Sequence, residues 1–174
     1  ISHASSPPLA SLLHARTIPH GRGDTMFANM CKAYDDLSPG LRETLTGMRA
    51  MHSGEATRAR SRAEKSDALE IGNIPDPSSH PMVRTLAEKD RRAIFVNPHF
   101  TTNIENMSIE ESAPLLNFLY AHGTKPENIY RHRWSVGDLV VWDNRAVMHY
   151  AVRDYDEDME RLMYRTTAGG DVPV

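Results

Sequence analysis

Residues 142–167 read WDNRAVMHYAVRDYDEDMERLMYRTT. An apolar run, Leu139, Val140, Val141 and Trp142, leads into this stretch and breaks at Asp143-Asn144, a pair that favours a turn. Residues 146–152 resume β-type side chains, with His149 in their middle. An acidic, turn-like insert at 154–158 follows. The next run, 161–167, carries two arginines four residues apart. In a strand, positions 161, 163 and 165 share a face, so Arg161 and Arg165 are expected on one side with Met163 between them. Two guanidinium groups beside a strand that presents a histidine suit a small dicarboxylate bound next to a metal. Arginine binds carboxylate bidentately and keeps its charge, and neutral imidazole is the commonest side-chain metal ligand. The same residues also suit a solvated edge with salt bridges and a hydrogen-bonded core histidine, so spacing alone leaves both readings open.

Working outward, residues 128–134 predict a strand and residues 135–137, Ser-Val-Gly, a turn. Ser108 with Glu111 forms a capping box that opens a helix whose apolar side is Leu115, Leu116 and Leu119. Pro114 inside that pattern predicts a kink or a later start. Residues 80–85 and 92–97 flank the polar turn at 88–90 and read as a hairpin. Residues 53–79 set Arg58, Arg60, Arg62 and Lys65 against Glu55, Glu64, Asp67 and Glu70, and contain Pro75 and Pro77. They read as a solvated loop or short exposed helix, or as a lid over a site. Ser38 as N-cap and Pro39 at the first helical position open a helix expected to reach about Met51. Apolar residues at 27, 30, 31, 34 and 37 have helical spacing. Residues 18–24 are loop chemistry with two glycines, and Thr25 stands where that loop meets the next element. Residues 7–16 read as a buried strand after Pro7-Pro8. About seven strands and three inserted helices predict a mostly β chain, an antiparallel sandwich or jelly roll.

At 174 residues, one domain with a sizeable core is expected. The net charge of -3, with basic and acidic residues interleaved, argues against a nucleic-acid partner. No apolar run approaches the roughly 20 residues of a membrane span. The single cysteine, Cys31, excludes an internal disulfide and fits a reducing, cytoplasmic compartment. Residue 1 is Ile rather than Met, so the expectation is that these residues begin inside a longer polypeptide.

Taken in order, Pro7-Pro-Leu-Ala-Ser11, Gly23-Asp-Thr25, His52-Ser-Gly54, His80-Pro81, Phe95-Val-Asn97, Trp134, Trp142-Asp-Asn144, His149 and Arg161…Arg165 resemble the TauD/TfdA family of Fe(II)- and 2-oxoglutarate-dependent dioxygenases. The resemblance runs from about Pro7 to Pro173, and its most specific part is Trp142-Asp-Asn-Arg145 with His149 and the two arginines. It implies a double-stranded β-helix, a jelly-roll form, as a single catalytic domain over 1–174. It also implies iron held by a His-x-Asp pair and a distal His, leaving positions for 2-oxoglutarate and O2. By the same resemblance His149 is the distal iron ligand. Arg161 clamps the distal carboxylate of 2-oxoglutarate with Thr25 as hydroxyl partner, and Trp134 lines that pocket. Arg165 lies near the anionic group of a small organic substrate (sulfonate, sulfate ester, carboxylate or phosphonate) and is shared with 2-oxoglutarate.

The chain departs from the family pattern at its start. The His-x-Asp pair is expected just before the Pro-Pro-Leu strand, with its Asp immediately before Ile1, so two of the three iron ligands are not among these residues. His3 is close by but has Ser5 rather than a carboxylate two positions on. The 174 residues alone are expected to form an N-terminally incomplete barrel with an exposed apolar edge, poor metal affinity and a tendency to form homo-oligomers. A non-catalytic jelly-roll module that binds a small anion or a partner protein is the alternative. A zinc hydrolase built on His149 is weaker, because no second His or Cys stands at ligand spacing.

Overall fold

The computed structural model describes residues 2–55 and 76–174. Its strands are β1 (Ala10–Thr17), β2 (Thr25–Asn29), β3 (Arg49–His52), β4 (Ser78–Pro81), β5 (Val83–Leu86), β6 (Arg91–Ile94), β7 (Thr101–Ile104), β8 (Ile129–His132), β9 (Leu139–Asp143), β10 (Val147–Ala151) and β11 (Leu162–Ala168). Its helices are α1 (Met30–Asp35), α2 (Pro39–Leu45) and α3 (Ile109–Gly123). None of them is long and apolar enough to cross a membrane.

Three antiparallel sheets, in orders β11-β1-β9, β10-β2-β8 and β4-β3-β7, accompany a β5-β6 hairpin. From β8 onward successive strands alternate between two sheets: β8 and β10 flank β2, while β9 and β11 flank β1. The turn at Asp143-Asn144 therefore carries the chain from one sheet to the other. Side chains from the two sheets meet where Phe27 of β2 packs edge-on against Trp142 of β9, with ring centroids 5.3 Å apart. The main hydrophobic core lies elsewhere, between the helices and the β3 and β6 sheets, and includes Cys31, Tyr34, Leu45, Met82, Ile94 and Leu119. The candidate site residues thus sit on the sheet pair, and the core holds up the scaffold beside them.

Mostly antiparallel strands with inserted helices agree with the sequence expectation, but several boundaries differ. Residues 27–29, expected in a helix, are strand. Phe27 and Ala28 are buried between β10 and β8, and Asn29 ends the strand as N-cap of α1, its side chain accepting from Lys32 N at 2.9 Å. The helix opened by Ser38 and Pro39 stops at Leu45 rather than near Met51. Gly47 adopts φ +81°, and from Arg49 the burial alternates as a strand does, with Ala50 and His52 inside. Their central place in the β4-β3-β7 sheet overrides the helical spacing of Leu45 and Met48.

The hairpin expected at 80–97 is β5-β6, turning through a 3-10 segment with Asp90 at φ +47°. His80, expected in that hairpin, belongs instead to β4 of the neighbouring sheet. Helix α3 begins at Ser108 with both halves of its capping box formed, and Pro114 is accommodated inside it without delaying its start. Of the loop or lid expected over 53–79, residues 56–75 lie outside the described residues, and Ser78 and Ser79 already belong to β4.

Candidate functional site

Thr25 opens β2, fully buried, and lies opposite His132 of β8 and Ala151 of β10. Its hydroxyl accepts a hydrogen bond from Trp134 Nε1 at 3.0 Å, which orients the indole. His132 packs edge-on against Trp134 at 4.4 Å. These three residues form one wall.

The other side of this region is built by the loop before β2. Gly23 has φ +73°, and a Cβ there would lie 2.9 Å from Arg161 Nε. The absence of a side chain lets the arginine lie against the backbone, where its Nε donates to Gly23 O at 3.1 Å. Asp154, from the acidic insert, holds the loop by accepting from Gly23 N at 2.7 Å. Arg131 of β8 ties the same elements together through Asp24, at 2.7 Å, and Asp154, at 3.6 Å. The acidic insert thus locks the Gly23 loop.

Arg161 is fixed at Nε, yet its Nη2 is buried with no hydrogen-bond partner among the described residues. A buried guanidinium nitrogen left unpaired is costly. Its natural complement is a carboxylate.

His149 lies mid-way along β10, opposite Phe27, with its ring 4.9 Å from that of Trp142. Desolvation by neighbouring protein atoms, with the Arg165 cation as the next contributor, lowers its pKa to about 4, although the residue is exposed among the described residues. The imidazole is therefore neutral at pH 7, the form that binds metal. Arg165, on β11, has its guanidinium 5.9 Å from the centroid of Trp142 and donates to Ser11 Oγ at 3.2 Å. Desolvation by neighbouring protein atoms lowers its pKa below the ordinary arginine value, although the residue is exposed among the described residues. Ser11 is itself hydrogen-bonded to Asn144. Trp142 Nε1 is buried and without a partner among the described residues.

The structure thus groups the sequence-predicted residues in two clusters. Thr25, Trp134 and Arg161 gather around the Gly23 loop, whereas His149 and Arg165 gather around Trp142. Arg161 lies one residue before β11, and Arg165 within it. Arg145, part of the most specific sequence motif, is occupied elsewhere. It pairs with Asp143 and Glu88 and so ties the β9–β10 turn to the β5-β6 hairpin.

Gly23, Asp154 and Ser11 were not singled out as site residues from the sequence. Only a glycine at the loop's end and an acidic insert hinted at the first two. Among the described residues no three His, Cys, Asp or Glu side chains come together to hold a metal ion, so His149 would need ligands from outside them. A cavity of about 380 Å³ lined by Phe27, Cys31, Lys89, Asn128 and Asp143, among others, contains none of the five predicted site residues.

Comparison with known proteins bears on this arrangement. The family described as taurine catabolism dioxygenase TauD, TfdA family, matches residues 1–167. The alpha-ketoglutarate-dependent 2,4-dichlorophenoxyacetate dioxygenase of Burkholderia sp. (strain RASC) is 39% identical over 92% of this chain and 53% of its own. The alpha-ketoglutarate-dependent sulfate ester dioxygenase of Pseudomonas putida is 34% identical over 100% of this chain and 59% of its own. A crystal structure of a taurine dioxygenase from Burkholderia xenovorans superposes with TM-score 0.85 at 37% identity, covering 99% of this chain and 56% of that one. The chain spans about half the length of the relatives it matches.

Proposed function

This chain belongs to the TauD/TfdA dioxygenase family, and from that premise we propose that it is the C-terminal part of an Fe(II)- and 2-oxoglutarate-dependent dioxygenase acting on a small organic anion. The strands that alternate between two sheets support a double-stranded β-helix, a jelly roll whose remaining strands come from elsewhere in the polypeptide. When bound, iron and 2-oxoglutarate supply the chemistry: O2 and 2-oxoglutarate are consumed, a substrate C–H becomes C–OH, and succinate and CO2 leave.

The residues of this chain bind and orient. Arg161 takes the distal carboxylate of 2-oxoglutarate on its unpaired Nη2, with Thr25 beside it and Trp134 as the wall. His149, held neutral, offers one ring nitrogen to iron, and the His-x-Asp expected directly before Ile1 provides the other ligands. Arg165, whose charge acts on His149, would draw the anionic group of the substrate and be shared with 2-oxoglutarate. The names of the relatives, which act on a phenoxyacetate and on sulfate esters, support an anionic substrate.

The observation that carries this reading is the buried Nη2 of Arg161, unpartnered among the described residues, on an arginine seated against Gly23, two residues before Thr25. Its test is Arg161→Ala in the full-length enzyme. The expected outcome is a loss of 2-oxoglutarate affinity of roughly 30-fold or more, from removal of a charged hydrogen-bonded pair worth about 2–3 kcal/mol, with uncoupled succinate production falling in step. Unchanged values for both would return the chain to the anion-binding alternative.

A further inference from the structure

Next to the first few residues of the chain lies a buried polar cluster for which the reading above has no use. His52 of β3 and His80 of β4 are almost wholly inaccessible, 0% and 2% exposed. Their rings stand 5.2 Å apart, and both pack against Phe95. Phe95 is covered in turn by the guanidinium of Arg84, which Asp171 of the C-terminal segment pairs.

Two buried imidazoles in an apolar region need a structural reason, because burying polar groups is costly unless they are bonded. Their partners lie in one place. His80 Nε2 is 3.0 Å from Ala4 O, and since a carbonyl only accepts, that nitrogen carries the proton. Asn97 Oδ1 accepts from the backbone N–H groups of His99, at 3.1 Å, and Phe100, at 2.8 Å. That fixes the orientation of its amide, so Nδ2 donates to Ser2 Oγ at 3.0 Å. Ser2 Oγ also lies within hydrogen-bond distance of His52 Nδ1, at 3.0 Å, so the one hydroxyl bridges Asn97 and His52. Burial, which lowers the His52 pKa to about 3, keeps the ring neutral and able to accept. Ser78 Oγ completes the set, donating to His3 O at 2.8 Å.

Three consecutive residues, 2–4, are thus held by side chains: Ser2 by His52 of β3 and by Asn97, and His3 and Ala4 by Ser78 and His80 of β4. We propose that His52, His80 and Asn97 are positioning residues that pin residues 2–4 to the β4-β3-β7 sheet and thereby set the place of the metal ligands expected directly before Ile1. The inference rests on the dioxygenase reading above. The segment 2–4 lies ahead of the β1 ladder, whose backbone hydrogen bonds among the described residues begin at Leu9, with Ala168 on one side and Asn144 on the other. Its position is therefore decided by these side chains rather than by a strand ladder.

The experiment uses full-length protein and Mn(II) as probe, with the free ion followed by electron paramagnetic resonance and folding checked by circular dichroism. Ser2→Ala is expected to weaken Mn(II) binding by roughly 10- to 100-fold, the usual effect of removing an outer-shell hydrogen bond at a metal site. Ser2→Thr, which keeps the hydroxyl, is expected to restore it. His80→Phe, which keeps the ring's bulk and removes the donor to Ala4 O, is expected to weaken binding like Ser2→Ala. His149→Ala serves as reference. If it abolishes binding while Ser2→Ala and His80→Phe bind as the parent does, the positioning role is overturned and the metal site stands. Failure of Ser2→Thr to restore binding overturns it as well, because the hydroxyl then does not matter. If His149→Ala itself binds Mn(II) unchanged, the dioxygenase reading fails and the positioning role falls with it.

Discussion

A methyl group on residue 23 would sit 2.9 Å from Arg161 Nε, in a backbone conformation with φ +73° that L-residues rarely adopt. The atom it meets belongs to a side chain that can move, so the contact is expected to displace the guanidinium rather than disrupt the fold. Gly23→Ala should therefore cost about 1–2 kcal/mol of stability, from the backbone. In full-length protein loaded with Mn(II), it should also weaken 2-oxoglutarate binding by about 10-fold or more, as read by calorimetry. Equal affinity in parent and variant would mean that Arg161 does not need its present seat.

Asp143 gives a second test at the level of single residues. Burial works against its charge, but hydrogen bonds from Arg145 and Lys89 prevail and hold its pKa near 2. A carboxylate whose pKa is lowered by folding contributes stability that is complete above its unfolded value, near 4, and is lost as pH falls through 2. The contribution is on the order of 2 kcal/mol. Asp143→Asn should flatten the loss of stability between about pH 4 and pH 2, as measured by urea unfolding, and an unaltered acid limb would contradict it. Both arginines of the 161–165 pair could be picked out in the sequence. Their separate seats could not, because Gly23 and Ser11, which hold them, are far away along the chain.

Among the elements, α3 shows how far local signals reach. Its capping box was legible because Ser108 and Glu111 satisfy backbone N–H groups within one turn, whatever surrounds them. Pro114 was also legible, but its consequence was not. It is exposed, and the helix continues through it. Proline there removes one hydrogen bond and crowds the preceding turn. Pro114→Ala should accordingly stabilise the protein by about 1–3 kcal/mol, with the loss of proline's restraint on the unfolded chain offsetting part of the gain. A thermal midpoint that does not rise would show the helix already relaxed around the ring. The boundaries of β2 and β3 lay beyond local reading. Phe27, Ala28 and Ala50 fall within stretches whose spacing suits a helix, and they become strand because β8, β10, β4 and β7 pair with them.

For the whole molecule, the outward faces of β9 and β11 leave Leu139, Val141 and Tyr164 each more than half exposed, at 61%, 58% and 57%. An apolar surface of that kind on two strands of one sheet favours association. The polypeptide of these 174 residues, produced by itself, is expected to self-associate with rising concentration in analytical ultracentrifugation. Val141→Lys combined with Tyr164→Lys should shift it toward monomer. A monomer at all concentrations before substitution would show that this face is tolerated in water.

The sequence by itself determined the mostly β class of the fold, the family and the identities of the candidate site residues. Alternating runs, caps and turn residues act over a few positions, and the order of motifs is a property of the chain. Only the tertiary structure decided where those residues stand. It brought Thr25 to Trp134 across 109 positions, seated Arg161 on Gly23 across 138, and directed Arg145 into an ion-pair network away from the candidate site. Contacts of that range depend on which sheets pair and on which side chain has no room for a Cβ, and no local pattern carries that information.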